Sequence, residues 1–154
     1  MPGTFNGTTL TISATPVDGA LIPDKSATNV AGIAIVGSDM YCVKTTGLKT
    51  TLLKTTDYMA TKATAVKKDL NWFALGLTKI GNYLYMLAED HKGYGGCTTI
   101  VKLDTKGNQL GTYSNNEICP KGALGITAAD GTNEKFIIMH YADKSNAGTL
   151  AFSV

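Results

Sequence analysis

Arginine is absent from this 154-residue chain, whose 14 basic side chains are all lysine. Lysine supplies a point charge but not the planar fork that reads guanine edges or grips phosphates and carboxylates two bonds at a time. The lysines lie scattered among 12 acidic residues for a formal charge of +2, with no long basic run. Both features argue against nucleic acid as a partner. Cysteine is scarce too, with Cys42, Cys97 and Cys119 making an odd number without C-x-x-C spacing. That excludes the usual zinc-knuckle and thioredoxin signatures. No stretch approaches the ~18 consecutive apolar residues of a membrane-spanning helix, and residues 1–10 carry neither a basic nor an apolar leader pattern. A soluble chain without membrane insertion, cytoplasmic or secreted after processing, is therefore expected. Gly-x-Ser-x-Gly, His-Glu-x-x-His and phosphate-cradling glycine loops are missing, and neither His91 nor His140 stands at nucleophile spacing from a Ser or Cys. No catalytic residue, metal or cofactor is assigned.

What is there suits one globular domain over residues 1–154. Hydrophobic residues make up 44%, enough for a core without metal or disulfide staples at this length. Thr, Val, Ile and Tyr gather in short runs, and no 11-residue window carries a helical apolar stripe. An all-β fold follows, with strands predicted at 8–13, 32–36, 40–44, 50–55, 84–88, 98–103, 109–114, 124–128, 136–141 and 149–154. Gly, Asn and Asp punctuate them at 36–39, 79–82, 104–108 and 129–131. Residues 58–70 are rich in Ala and Lys, but Thr61, Thr64 and Val66 are β-branched and no helix cap precedes them, so the segment reads as strand plus loop.

The chain also repeats itself. Gly32-Ile-Ala-Ile-Val-Gly37, Gly76-Leu-Thr-Lys-Ile-Gly81 and the segment from Gly125 to Gly131 align at periods of 44 and 49 residues. Nine residues after the first two glycines come Tyr41 and Tyr85, each the aromatic of a second strand, and Phe136 takes that role in the third repeat. Cys42 aligns with Met86 and Ile137 as a small core residue. Third strands follow at 50–54, 98–102 and 148–152, and Thr8-Thr-Leu-Thr-Ile12 matches them. The units are thus four-stranded antiparallel repeats over approximately 30–70, 71–120 and 121–154, with 1–29 completing a terminal unit.

The segment 76–125 resembles a β-propeller blade of the NHL or six-bladed, lectin-like type. A Gly-Leu-Thr inner strand is followed by a turn, a tyrosine strand, and Thr99-Ile-Val-Lys-Leu-Asp-Thr-Lys-Gly-Asn-Gln-Leu110 in place of the blade pattern I-x-x-x-D-x-x-G-x-x-L. The resemblance implies a propeller-like half-ring, since three blades are fewer than the ~4–8 that close a ring. A homodimer would complete it. A β-trefoil, which also has three four-stranded repeats of this length, is the competing architecture.

In a blade the loops after the second and fourth strands share a rim, here 45–49, 89–96 and 142–147 with 24–29, 67–72 and 115–121. Candidate ligand contacts on that rim are Asn71, Trp72, Asp90, His91, Tyr94, Asn116, Glu117, Tyr141 and Asp143, a mixture of aromatic faces and planar polar groups suited to sugars. Two readings of Trp72 stay open: a core residue beside Phe73, or an exposed stacking platform. Cys97 and Cys119 fall on the same rim, so a disulfide and two free thiols both stay open. Asp104-Thr-Lys-Gly-Asn108 reads as a turn, lacking the acid density of a calcium loop. A non-enzymatic, lectin-like module with a glycan or glycoprotein partner is the expectation, multivalent through its repeats and a homodimer. A protein-binding module or trefoil-type protease inhibitor is the alternative.

Overall fold

The computed structural model describes residues 3–5, 7, 10–12, 29–56, 63–89, 98–114, 123–143 and 146–153. Every regular element among them is a β-strand, so no helix there is long and apolar enough to cross a membrane. Strands β1 (Gly3–Phe5) and β2 (Leu10–Ile12) pair with each other. Strands β3 (Asn29–Val36), β4 (Asp39–Thr46), β5 (Lys49–Thr55) and β6 (Thr64–Leu70) form a four-stranded antiparallel sheet in chain order. A second four-stranded sheet contains β7 (Phe73–Ile80), β8 (Tyr83–Glu89), β9 (Thr98–Leu103) and β10 (Gln109–Ser114). The third comprises β11 (Ala123–Ala128), β12 (Phe136–Asp143) and β13 (Asn146–Ser153). The all-β expectation holds, and 58–70 resolves where described into a strand, β6, with no helix.

The sheets lie side by side through their first strands, β3 against β7 and β7 against β11. This stacking explains why β8 reads as a near-continuous apolar run: a strand covered on both faces has no solvent side to mark with polar residues. Leu84, Met86 and Ala88 face the first sheet and join Tyr41, Val43, Leu52 and Leu77. Tyr85 and Leu87 face the third and join Ile100, Phe136 and Ile138. Cys42, fully buried, packs with Leu53 and Ala63, and burial pushes its thiol up to about 11, so it stays protonated. Residues 97 and 119 lie outside the described residues, and with them the disulfide question.

Each first strand carries a one-residue bulge, between Ala31 and Ile33, Ala74 and Gly76, and Ala123 and Gly125. The β3–β4 and β7–β8 hairpins turn on Gly37 and Gly81, whose φ of 63° and 56° suits the first position of a tight hairpin turn. Between the first two sheets a buried polar relay closes the link from β6 to β7. Thr50 Oγ donates to the Trp72 carbonyl at 2.7 Å and accepts the Ala74 N–H at 3.2 Å. With its one proton so engaged, Thr50 accepts from the Thr45 hydroxyl at 2.9 Å.

Several sequence readings need correction, beginning with the rim loop expected at 45–49, of which β4 and β5 leave only Gly47 and Leu48. Residues 67–70 belong to β6, so the rim loop expected at 67–72 shrinks to Asn71 and Trp72. Strands β12 and β13 likewise take 142–143 and 146–147 of the loop expected at 142–147. Phe136 does not take the role of Tyr41 and Tyr85: pairing sets Ala34 opposite Tyr41, Thr78 opposite Tyr85 and Thr127 opposite Ile137. By the same register Cys42 and Met86 correspond to Ile138, not Ile137. A one-residue slip moves a side chain to the other face. Phe136 therefore points back at the second sheet, where its ring lies 4.9 Å from that of Tyr85 at 51°.

Candidate functional site

The tyrosine of the second strand and a lysine of the third are direct cross-strand partners in two sheets, Tyr41 with Lys54 and Tyr85 with Lys102. A carboxylate joins each pair. In the first sheet it is local: Lys54 Nζ lies 3.1 Å from Asp39 Oδ2, and the Tyr41 hydroxyl 3.5 Å from the same oxygen. In the second sheet it arrives from elsewhere, as Glu134 in the turn between β11 and β12. Glu134 Oε1 accepts the Tyr85 hydroxyl at 2.7 Å and pairs with Lys102, while Oε2 accepts the Tyr113 hydroxyl at 3.0 Å. One carboxylate of the third sheet thus grips β8, β9 and β10 of the second.

The turn that presents Glu134 is held by its own residues. Asp130 Oδ1 accepts the backbone N–H groups of Thr132 at 2.8 Å and Asn133 at 2.6 Å, and Ala129 N–H bonds Lys135 O at 2.8 Å. The amides of Asn133 and Thr132 hold the Asp130 carboxyl far below the usual range. Facing this turn across a gap is the Gly81-Asn82 hairpin. The cleft between them has a volume of about 450 Å³ and is lined by Ile80, Gly81, Asn82, Tyr83, Tyr85, Gly131, Thr132 and Glu134. Tyr83, which lines the cleft, is 44% exposed, and Tyr113, which binds Glu134 without lining the cleft, is 45% exposed. Lys102 Nζ sits 4.5 Å from the centroid of the Tyr83 ring, fixing that ring from one side.

The protonation states follow from this network. Lys102, then Tyr85 and Tyr113, bring Glu134 down to about 2, and burial followed by the Glu134 carboxylate raises Tyr85 to about 12. The hydrogen bond to Glu134 also raises Lys102. Near neutrality the site is a fixed ion pair flanked by neutral phenols. It can accept and donate hydrogen bonds and offer ring faces, but an acid this strong and an amine this firmly protonated make a poor proton-exchanging couple.

Glu134 has a pH signature. Its folded value lies below its ordinary 4.5, so the stability it supplies is present above that pH and lost as pH falls toward about 2. The Tyr85 and Tyr113 NMR resonances are expected to shift together in that acid window, and Glu134→Gln to abolish the shift. Independent movement of the two rings would show that no shared carboxylate holds them.

The described candidates read from the sequence, Asn71, Trp72, Tyr141 and Asp143, do not line this cleft. Trp72 is half-buried against the first core cluster, its indole N–H donating to Gln109 Oε1 at 3.2 Å, with Asn71 exposed beside it. Tyr141 and Asp143 are on β12, opposite Leu150 and Asn146. Asp90, His91, Tyr94, Asn116 and Glu117 lie outside the described residues. Within each sheet the Tyr83–Glu134 cleft occupies the hairpin end between first and second strands, opposite the end the sequence reading chose. Asp104 holds its own turn, accepting Lys106 N–H at 2.9 Å and Asn108 N–H at 2.8 Å. Among the described residues no three His, Cys, Asp or Glu side chains are grouped to hold a metal ion. No protein-family model and no curated protein matches this chain.

Proposed function

We propose that the chain is a non-enzymatic carbohydrate-binding module and that its sugar site is the cleft between the Gly81-Asn82 and 129–135 turns. The observation that carries this reading is an exposed tyrosine ring, Tyr83, lining the same cleft as a carboxylate, Glu134, already fixed by three donors. Sugars present apolar C–H faces to aromatic rings and hydroxyls to planar acceptors, and a preorganised site loses little entropy on binding them. Asn82 and Thr132 supply further polar groups at the rim. A cleft of this volume admits a mono- or disaccharide. The sheet order supports a propeller-like arrangement over a trefoil, because each sheet is a run of consecutive strands and successive sheets stack through their first strands.

A glycan array with the full chain is expected to show binding to a restricted set of sugars, with the best ligand weakened roughly tenfold or more by Tyr83→Ala. A flat array at high protein concentration overturns the reading. Binding that Tyr83→Ala leaves unchanged moves the site away from this cleft.

A further inference from the structure

The two stacked sheet pairs share one contact, repeated in register. A Cβ built on Gly32 of β3 would fall 2.1 Å from the backbone nitrogen of Leu77, the residue after Gly76. A Cβ built on Gly76 of β7 would fall 3.2 Å from Ile126, the residue after Gly125. In each case the repeat glycine receives the apolar residue that follows the next sheet's glycine. The pattern leaves two halves unmatched. Among the described residues, a Cβ on Gly125 would meet only Met139 of its own sheet, at 3.8 Å. Ile33, which follows Gly32, is 57% exposed, whereas its counterpart Leu77 is 4% exposed and Ile126 is packed into the second cluster.

The neighbouring positions tell the same story. Beside Ile33, Ile35 is 39% exposed. On the far face of the third sheet Ile137 and Met139 are half-buried, although the register equivalents Tyr41, Tyr85, Val43 and Leu87 are sealed in the inner seams. One outer sheet therefore presents a receiving first strand and the other an inserting first strand; Cys42 and Leu53, beside Ile33 on the same face, are already buried with Ala63, so what is left open is the first-strand contact that the chain already makes twice.

We infer that the occupant is a second copy of this chain, with Ile33 of each protomer seated on Gly125 of its partner to make two equivalent seams. This continues an interface already built within the chain. Two copies of three sheets give six, within the ~4–8 sheets of closed rings, whereas three copies give nine. The inference rests on the propeller-like stacking of the sheets and not on the sugar site.

The test is solution mass by light scattering behind gel filtration, on the full chain and two variants. The full chain is expected to elute at twice its 16.2 kDa. Ile33→Glu and Gly125→Val should each raise the dimer dissociation constant more than about tenfold, since one places a charge in the seam and the other fills the receiving face. Gly125→Val has room within its own protomer, so an unchanged circular dichroism spectrum should accompany its loss of dimer. A monomeric wild type overturns the inference. A dimer indifferent to either variant also overturns it, by locating the interface elsewhere. Gly76→Val reports separately on the stacking within a protomer: lowered stability there, in a chain that proves monomeric, keeps the stacked-sheet reading while discarding the seam.

Discussion

Gly32→Ala is expected to destabilise the protein by at least about 3 kcal/mol, from a strained backbone and a collision that add. Gly32 has φ +68°, which an alanine tolerates poorly, and its Cβ would overlap the backbone nitrogen of Leu77. A backbone atom cannot swing aside as the end of a lysine can, so β3 and β7 would have to separate. That contact heads the core in which Leu77, Met86 and Val101 pack against Tyr41 and Val43. Urea unfolding at fixed protein concentration measures the loss. Gly131→Ala, with open space around its Cβ, serves as the control and should stay within about 0.5 kcal/mol of wild type. If both variants unfold alike, the first two sheets do not meet as closely as described.

Tyr85→Ala should cost a further class of contact, about 3–5 kcal/mol, as the largest side chain in the fully buried set is cut back. Its ring fills the space between the second and third sheets against Phe136, and its hydroxyl is spent on Glu134. Tyr85→Phe separates the two roles. Keeping the ring while removing the hydroxyl should cost only about 1 kcal/mol, and the Glu134 carboxyl should titrate above its present value of about 2. Equal losses for the two substitutions would mean that the hydrogen bond, not the packed ring, holds the sheets together.

The strands were largely legible in the sequence, and for a physical reason. Runs such as Thr98–Leu103 and Gln109–Ser114 are bounded by turn residues, and each forms a strand over that range. The repeat was legible because the next sheet approaches closely at the same place, forcing glycine at Gly32 and leaving little room for a side chain at Gly76. Legibility failed where the third repeat departs in length. The first two hairpins turn on two residues, but seven separate β11 from β12, and counting forward from Gly125 misjudged the face of Phe136. That longer turn is also where the cleft comes from. Glu134 stands 49 residues from Tyr85 and 21 from Tyr113, and no local pattern joins them. One signal was available: Tyr41 with Lys54 and Tyr85 with Lys102 recur at matched places, which marks a paired polar end on two sheets. Its missing carboxylate in the second sheet pointed to an acceptor from another part of the chain.

Glu134 ties the third sheet to three strands of the second, and this gives the cleft a thermodynamic property that a pocket within one sheet would lack. Its two walls belong to hairpins of different sheets, so it exists only while those sheets are docked. A ligand held by both walls has affinity for the docked form alone, and by linkage it suppresses the transient opening of β11 and β12 in proportion to its concentration. Occupancy at the surface would then be written into the breathing of the core behind it, in the amides of strands that the ligand never touches.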